Sequence, residues 1–179
     1  MQGPQHDIRP SASLKSHNPI REGRDWLVSI AESSVVLSSV VRVIHPELFD
    51  MGMECMQKMY CQEDLREVLC MWYSVFNGAS IISNRETPVH RDHSTRFEWY
   101  DLLATVGPYE RAYFSLPGVG LTFLYQSGTL LGFCGWLLRH GVSEANGERM
   151  CLAYYMRENV QRRLGTRFAT WNRWDNYKN

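Results

Sequence analysis

The chain has 179 residues, enough for one domain with a real core and too few for two ordinary ones. Lys+Arg and Asp+Glu balance at 19 each, which excludes the bulk basic excess of a chain that binds nucleic acid by overall charge. Five cysteines, an odd set without a CxxC pair, exclude a disulfide scaffold or a zinc knuckle and suggest reduced thiols in an intracellular protein.

Residues 1–20 are rich in Pro, Ser, Gln and His with hardly a large apolar side chain, and read as a disordered leader that cannot offset its ordering entropy. No charged-then-apolar signal pattern opens the chain. From Arg24 to Ile44 the apolar residues are broadly helix-spaced, although the valine-serine stretch would also suit a strand. Its most apolar part, Val35 to Ile44, is far shorter than the roughly 20 residues of a membrane span. Pro46 closes that element, and Glu47 to about Tyr60 predicts a second helix whose methionines serve as core filler.

After Asp64 short runs of Val, Ile, Phe, Tyr and Trp alternate with turn residues. Strands are predicted over Phe76–Ser83, Arg111–Leu116, Leu121–Tyr125, Thr129–Leu138 and Met150–Met156. This order predicts an α+β fold, with a helical layer over 24–65 covering one face of an antiparallel sandwich or barrel over 66–160. A single domain then spans 21–165, and a basic aromatic tail follows over 166–179. From Arg149 to Asn179 seven basic residues face only two acidic ones.

The chemistry-bearing residues lie at strand ends. His90 and Asp92 are two apart after Pro88, so in an extended segment both project to one side. His140 follows the Thr129–Leu138 run and precedes Gly141, where the chain can turn a ring inward. Two histidines and a carboxylate form the facial triad that holds Fe(II) with positions left open, and zinc is the competing ion. HxD alone is a weak signal. Arg149, at the start of the next strand, strengthens the reading because a guanidinium can pair bidentately with a dicarboxylate, with Arg157 as the alternative. The HRD triplet at 90–92 is not a kinase loop, since position 97 is Phe and the Gly-rich loop, strand lysine and DFG are missing.

The blocks NRETPVHRDHSTRFEWYDLLATVG, GTLLGFCGWLLRHGV and GERMCLAYYM together resemble the Fe(II)/2-oxoglutarate oxygenase domain of the TET/JBP family, in particular its compact forms in mushroom-type fungi. The likeness spans about residues 66–160. It implies a double-stranded β-helix (jelly roll), with Fe(II) and 2-oxoglutarate as cofactors and dioxygen as co-substrate. It also implies oxidation of a methyl group on a base flipped out of methylated duplex DNA, and hence a nuclear protein with neither a membrane nor an obligate protein partner. His90, Asp92 and His140 become the iron ligands and Arg149 the co-substrate clamp. The base can be 5-methylcytosine, oxidised stepwise to hydroxymethyl and further forms, or N6-methyladenine, losing formaldehyde. A jelly-roll module that binds DNA without chemistry is the alternative from another class.

A base must leave the duplex to reach such a site. The segment His93–Tyr100 would meet it, with Asn84, Thr95 and Asp101 as candidate substrate-binding groups and Phe97 and Trp99 as core anchors. Asp101 could equally stabilise a helix start at WYDLL. In the tail, Arg residues interleave with Phe168, Trp171, Trp174 and Tyr177, which suits either phosphate and base contacts or packing on the domain.

Overall fold

The structure, a computed structural model, describes residues 7–15 and 22–177. Much of the expected leader, and the end of the tail, therefore lie outside the described residues. The part of the leader that is described, 7–15, carries a short 3-10 turn at Ala12–Leu14, and Ile8 packs on Cys55, Met59 and Leu65.

The first predicted helix is two helices, α1 (Glu22–Ser29) and α2 (Ala31–Ile44), bent by 59°. The break falls where Ser29 Oγ donates to the Trp26 carbonyl at 2.7 Å, a side-chain bond that competes with the helical ladder. α2 buries Ser34, Leu37, Ser38 and Val41, one stripe at helical spacing, and turns Val35, Val36 and Val43 outward. Its buried serines are satisfied: Ser38 Oγ donates to the Ser34 carbonyl at 2.8 Å, and Ser34 Oγ meets the Tyr154 hydroxyl at 3.2 Å. α3 (Pro46–Tyr60) starts on the proline, with Leu48 N–H donating to buried His45 Nδ1 at 3.3 Å. Two further helices, α4 (Glu63–Leu69) and α5 (Glu158–Leu164), are one to two turns long, too short to show a period in the sequence. Among the described residues no single helix is long and apolar enough to cross a membrane.

Eight strands form two four-stranded antiparallel sheets. They are β1 (Gly78–Ser83), β2 (Thr87–His90), β3 (Asp101–Val106), β4 (Tyr113–Leu116), β5 (Leu121–Leu124), β6 (Leu130–Phe133), β7 (His140–Val142) and β8 (Met150–Tyr155). One sheet has the order β1-β8-β3-β6 and the other β2-β7-β4-β5, the interleaved arrangement of a jelly roll. On β8, Leu152 and Tyr154 pack against the helices while Cys151 and Ala153 face the space between the sheets. The helical layer thus covers the outer face of the first sheet, as the α+β expectation required.

Three departures bear on the site. The Thr129–Leu138 run ends as a strand at Phe133, because the chain turns there, with Leu138 N–H donating to the Cys134 carbonyl at 3.0 Å. It re-enters as β7 in the opposite sheet, so His140 is a strand residue. WYDLL opens no helix: Asp101 is the first residue of β3, whose first five residues are all buried and therefore show no alternation. The tail from 166 packs on the helices, with Trp99 Nε1 donating to the Ala169 carbonyl at 3.1 Å and the Tyr177 hydroxyl to the Ile44 carbonyl at 2.8 Å.

Candidate metal centre and co-substrate pocket

Pairing of β2 with β7 sets His90 directly opposite His140, with ring centroids 4.3 Å apart. Asp92 lies just past β2, where its N–H donates to the Gly135 carbonyl at 3.0 Å. Its two carboxylate oxygens each stand 3.5 Å from one Nε2, Oδ1 from His90 and Oδ2 from His140. One donor atom from each residue lies within 4.8 Å of the others, close enough to share an ion. Each Nδ1 is held by a backbone carbonyl, His90 by Pro88 at 2.8 Å and His140 by Leu138 at 3.0 Å. An Nδ1–H donating there leaves Nε2 with a free lone pair, the tautomer a metal needs. Burial also holds the His140 pKa below the usual imidazole value, which keeps the ring neutral. Phe133 packs edge-on to that ring at 4.8 Å and Phe114 parallel to it at 6.0 Å. His140 keeps 5% of its side chain exposed against 40% for His90 and 43% for Asp92, so the centre opens on the side of the latter two.

The triad lines a cavity of about 280 Å³, together with Thr95, Asp101, Arg149, Tyr155 and Arg157. A larger cavity, about 1380 Å³, lies between the helices and the N-terminal segment and touches none of the three triad residues. The chemistry belongs to the smaller one.

Arg149, just before β8, is 2% exposed. Its Nη2 donates to the Arg85 carbonyl at 3.0 Å and its guanidinium lies 5.9 Å from the Tyr125 ring centroid, but Nε and Nη1 are buried without a partner. A buried guanidinium with idle donors calls for an anion, and a carboxylate supplies one. Asn84 holds the arginine's backbone from outside the cavity. It adopts a left-handed φ of 48°, a conformation Asn tolerates. There its N–H donates to the Arg149 carbonyl at 2.8 Å, its Oδ1 accepts from Arg149 N–H at 2.7 Å, and its amide meets Glu148.

Asp101 and Thr95 do line the cavity, each 4% exposed, and Thr95 Oγ1 and Asp101 Oδ1 have no partner. Asp101 Oδ2 accepts only the Gly135 N–H at 3.3 Å. Gly135 is needed here: a Cβ at this position would sit 2.6 Å from both Asp101 Oδ2 and Asp92 Oδ2. Burial, with the Asp92 charge adding to it, pushes the Asp101 pKa up to about 8. The folded protein therefore keeps a proton that the unfolded chain releases above pH 3.8. Asp101 contributes its full stability below that value and loses it as pH rises toward 8, a span worth on the order of 5 kcal/mol. Asp101→Asn is accordingly expected to melt close to the parent at pH 5 and several degrees above it at pH 8, in thermal melts with chelator. An equal deficit at both pH values would show that the carboxylate is paired in the fold.

Tyr155 was not read from the sequence as a site residue, and Arg157 was read only as the alternative co-substrate clamp. The Tyr155 hydroxyl meets Ser80 Oγ at 3.2 Å and accepts from Arg157 Nη2 at 3.2 Å. Strand alternation carried the signal for Tyr155, since Cys151, Ala153 and Tyr155 share the inner face of β8. Trp99 is fully buried as expected, whereas Phe97 is 37% exposed.

The donor set suits a divalent ion with two nitrogens and one oxygen, and the idle arginine donors suit a dicarboxylate beside it. Compared with known families, residues 4–158 match the Tet_JBP family, described as the oxygenase domain of the 2OGFeDO superfamily. The match takes in the helical layer as well as the strand blocks. Comparison with curated proteins gives no match.

Proposed function

The chain belongs to the Tet_JBP family of Fe(II)- and 2-oxoglutarate-dependent oxygenases, and from that premise we propose that it oxidises the methyl group of a modified base in DNA, with 5-methylcytosine the first choice. The observation that carries this reading is the convergence of the His90–Asp92–His140 cluster and the idle donors of Arg149 on one cavity.

In this reading His90 and His140 through Nε2, and Asp92 through one carboxylate oxygen, would hold the iron. Bound iron with 2-oxoglutarate supplies the oxidising power to hydroxylate an unactivated C–H bond. Arg149, with donors that no protein group uses, would receive the far carboxylate of 2-oxoglutarate, deep in the cavity beside Tyr125. The Leu138 and Pro88 carbonyls keep the imidazoles in their ligand tautomer. The target base enters from the side of His90 and Asp92, and at about 280 Å³ the cavity admits a base only when it is flipped from its duplex. Thr95, Asp101, Tyr155 and Arg157 then surround it with hydroxyl, carboxyl, ring and guanidinium groups. The sequence blocks resemble the compact forms of the family in mushroom-type fungi, and the DNA-base reading carries with it the proposal of a nuclear protein.

Aerobic incubation with Fe(II), 2-oxoglutarate and a methylated duplex, followed by mass spectrometry of the nucleosides, is expected to give 5-hydroxymethylcytosine and its further oxidised forms, with succinate formed alongside. Formaldehyde released from an N6-methyladenine duplex, with 5-methylcytosine untouched, would move the assignment to that base. A folded protein that binds the duplex and yields neither oxidised base nor succinate would be a binding module.

A further inference from the structure

Aromatic residues that are distant in sequence meet on one exposed patch beside the metal centre. The Phe97 ring lies 5.7 Å from Trp136 and 5.6 Å from Trp171. Phe97 and Trp136 are each 37% exposed and Trp171 39%, so three large rings together face solvent, where scattered single residues are the rule. Trp174, three residues further on, is 78% exposed. Trp136 directly follows Gly135, whose carbonyl accepts the Asp92 N–H, so the array starts within one residue of the triad's anchor.

Exposed arginines flank the metal centre beside this patch. Arg91 and Arg139 each adjoin a triad histidine, and both are exposed. The His90–His140 pair closes the ladder, so the two arginines leave it from adjacent ends of β2 and β7. Among the described residues no carboxylate pairs with Arg91, Arg139 or Arg173, while Glu98 and Glu158 are both taken by Arg96.

We propose that this surface seats the DNA strand on either side of the flipped base: Arg91 and Arg139 hold its phosphates, and the Trp136–Phe97–Trp171 array stacks against the base next to the vacancy. The proposal rests on the DNA-base reading above and adds where the flanking strand runs. Unpaired guanidinium groups suit phosphate, and clustered aromatic faces suit unstacked bases of any sequence.

The test is fluorescence anisotropy of a labelled methylated duplex over a salt series, with two double variants. Arg91→Gln/Arg139→Gln is expected to lower the slope of log affinity against log salt by about two, since each lost phosphate contact removes roughly 0.9. Trp136→Ala/Trp171→Ala is expected to weaken binding about tenfold or more at an unchanged slope, and Trp136→Phe/Trp171→Phe to restore most of it. Melting curves and anaerobic 2-oxoglutarate binding serve as controls for the fold and should match the parent in all variants. Parent-like affinity and slope in both double variants, with duplex oxidation intact, would overturn the proposal and leave the DNA-base reading standing. Loss of self-association in sedimentation, with DNA binding unaffected, would make the patch an interface between copies and equally overturn it. A parent protein that neither binds nor oxidises DNA removes the reading on which it rests.

Discussion

His90→Ala and Asp92→Ala proteins are expected to fold, to lose ferrous ion binding and to bring base oxidation down to background. The fold should survive because neither residue belongs to a core cluster and both side chains are about two-fifths exposed. Metal binding should not survive. Each variant leaves only two donors, and even the outer partners of metal ligands are worth about 10–100-fold in affinity or activity, so a lost ligand costs more. The carboxylate matters twice, because Asp92 faces both imidazoles at 3.5 Å and supplies the cluster's negative charge. His140→Ala should fail in the same way with an added stability cost of about 1–3 kcal/mol, since its ring is buried against Phe114 and Phe133. The measurements are calorimetry with Fe(II) or Co(II) under anaerobic conditions, and nucleoside mass spectrometry after aerobic turnover. Full turnover in either of the first two variants would remove the triad from the chemistry.

His90, Asp92 and Arg149 were legible because local strand geometry places them with little help from the rest of the fold. His90 and Asp92 are two apart, and residues two apart share a side even where the strand gives out, as it does here at His90. Arg149 was found from its place before an apolar strand, which β8 bears out. The route to His140 was not legible. A run such as TLLGFCGWLL looks like one strand, and only tertiary pairing shows that its first half joins β3 while the chain beyond it crosses to the other sheet. β3 was hidden for another reason: with helices on one side and the second sheet on the other, both its faces are apolar, so period-2 patterning disappears. The same limit separates Asn84 from Thr95 and Asp101. All three are polar residues near the motif, yet a left-handed turn aims Asn84 at the Arg149 backbone while β3 aims Asp101 into the cavity.

Arg149→Ala is expected to raise the 2-oxoglutarate concentration for half-maximal rate roughly 30- to 5,000-fold and to leave much of the saturated rate in place. A buried charge-assisted pair that loses one partner costs about 2–5 kcal/mol, which sets that range. The loop should keep its shape in the variant, because Asn84 grips the Arg149 N–H and carbonyl and not its side chain. Without co-substrate the substitution also removes a buried cation whose Nε and Nη1 have no partner, so the empty protein should lose little stability. Arg149→Lys should recover only part of the affinity, since an ammonium at that depth offers a point charge where the carboxylate meets a planar fork. Arg157→Ala is the matching control. Its guanidinium is engaged with Tyr155 through the hydroxyl at 3.2 Å and the ring at 5.3 Å, so its loss should alter base use and spare the 2-oxoglutarate requirement. Initial rates against 2-oxoglutarate, paired with an anaerobic titration of the visible iron–co-substrate band, separate the two arginines. If the half-saturating concentration moves with Arg157 and stays fixed with Arg149, the clamp lies at the other end of β8 and the cavity must be read in the reverse direction.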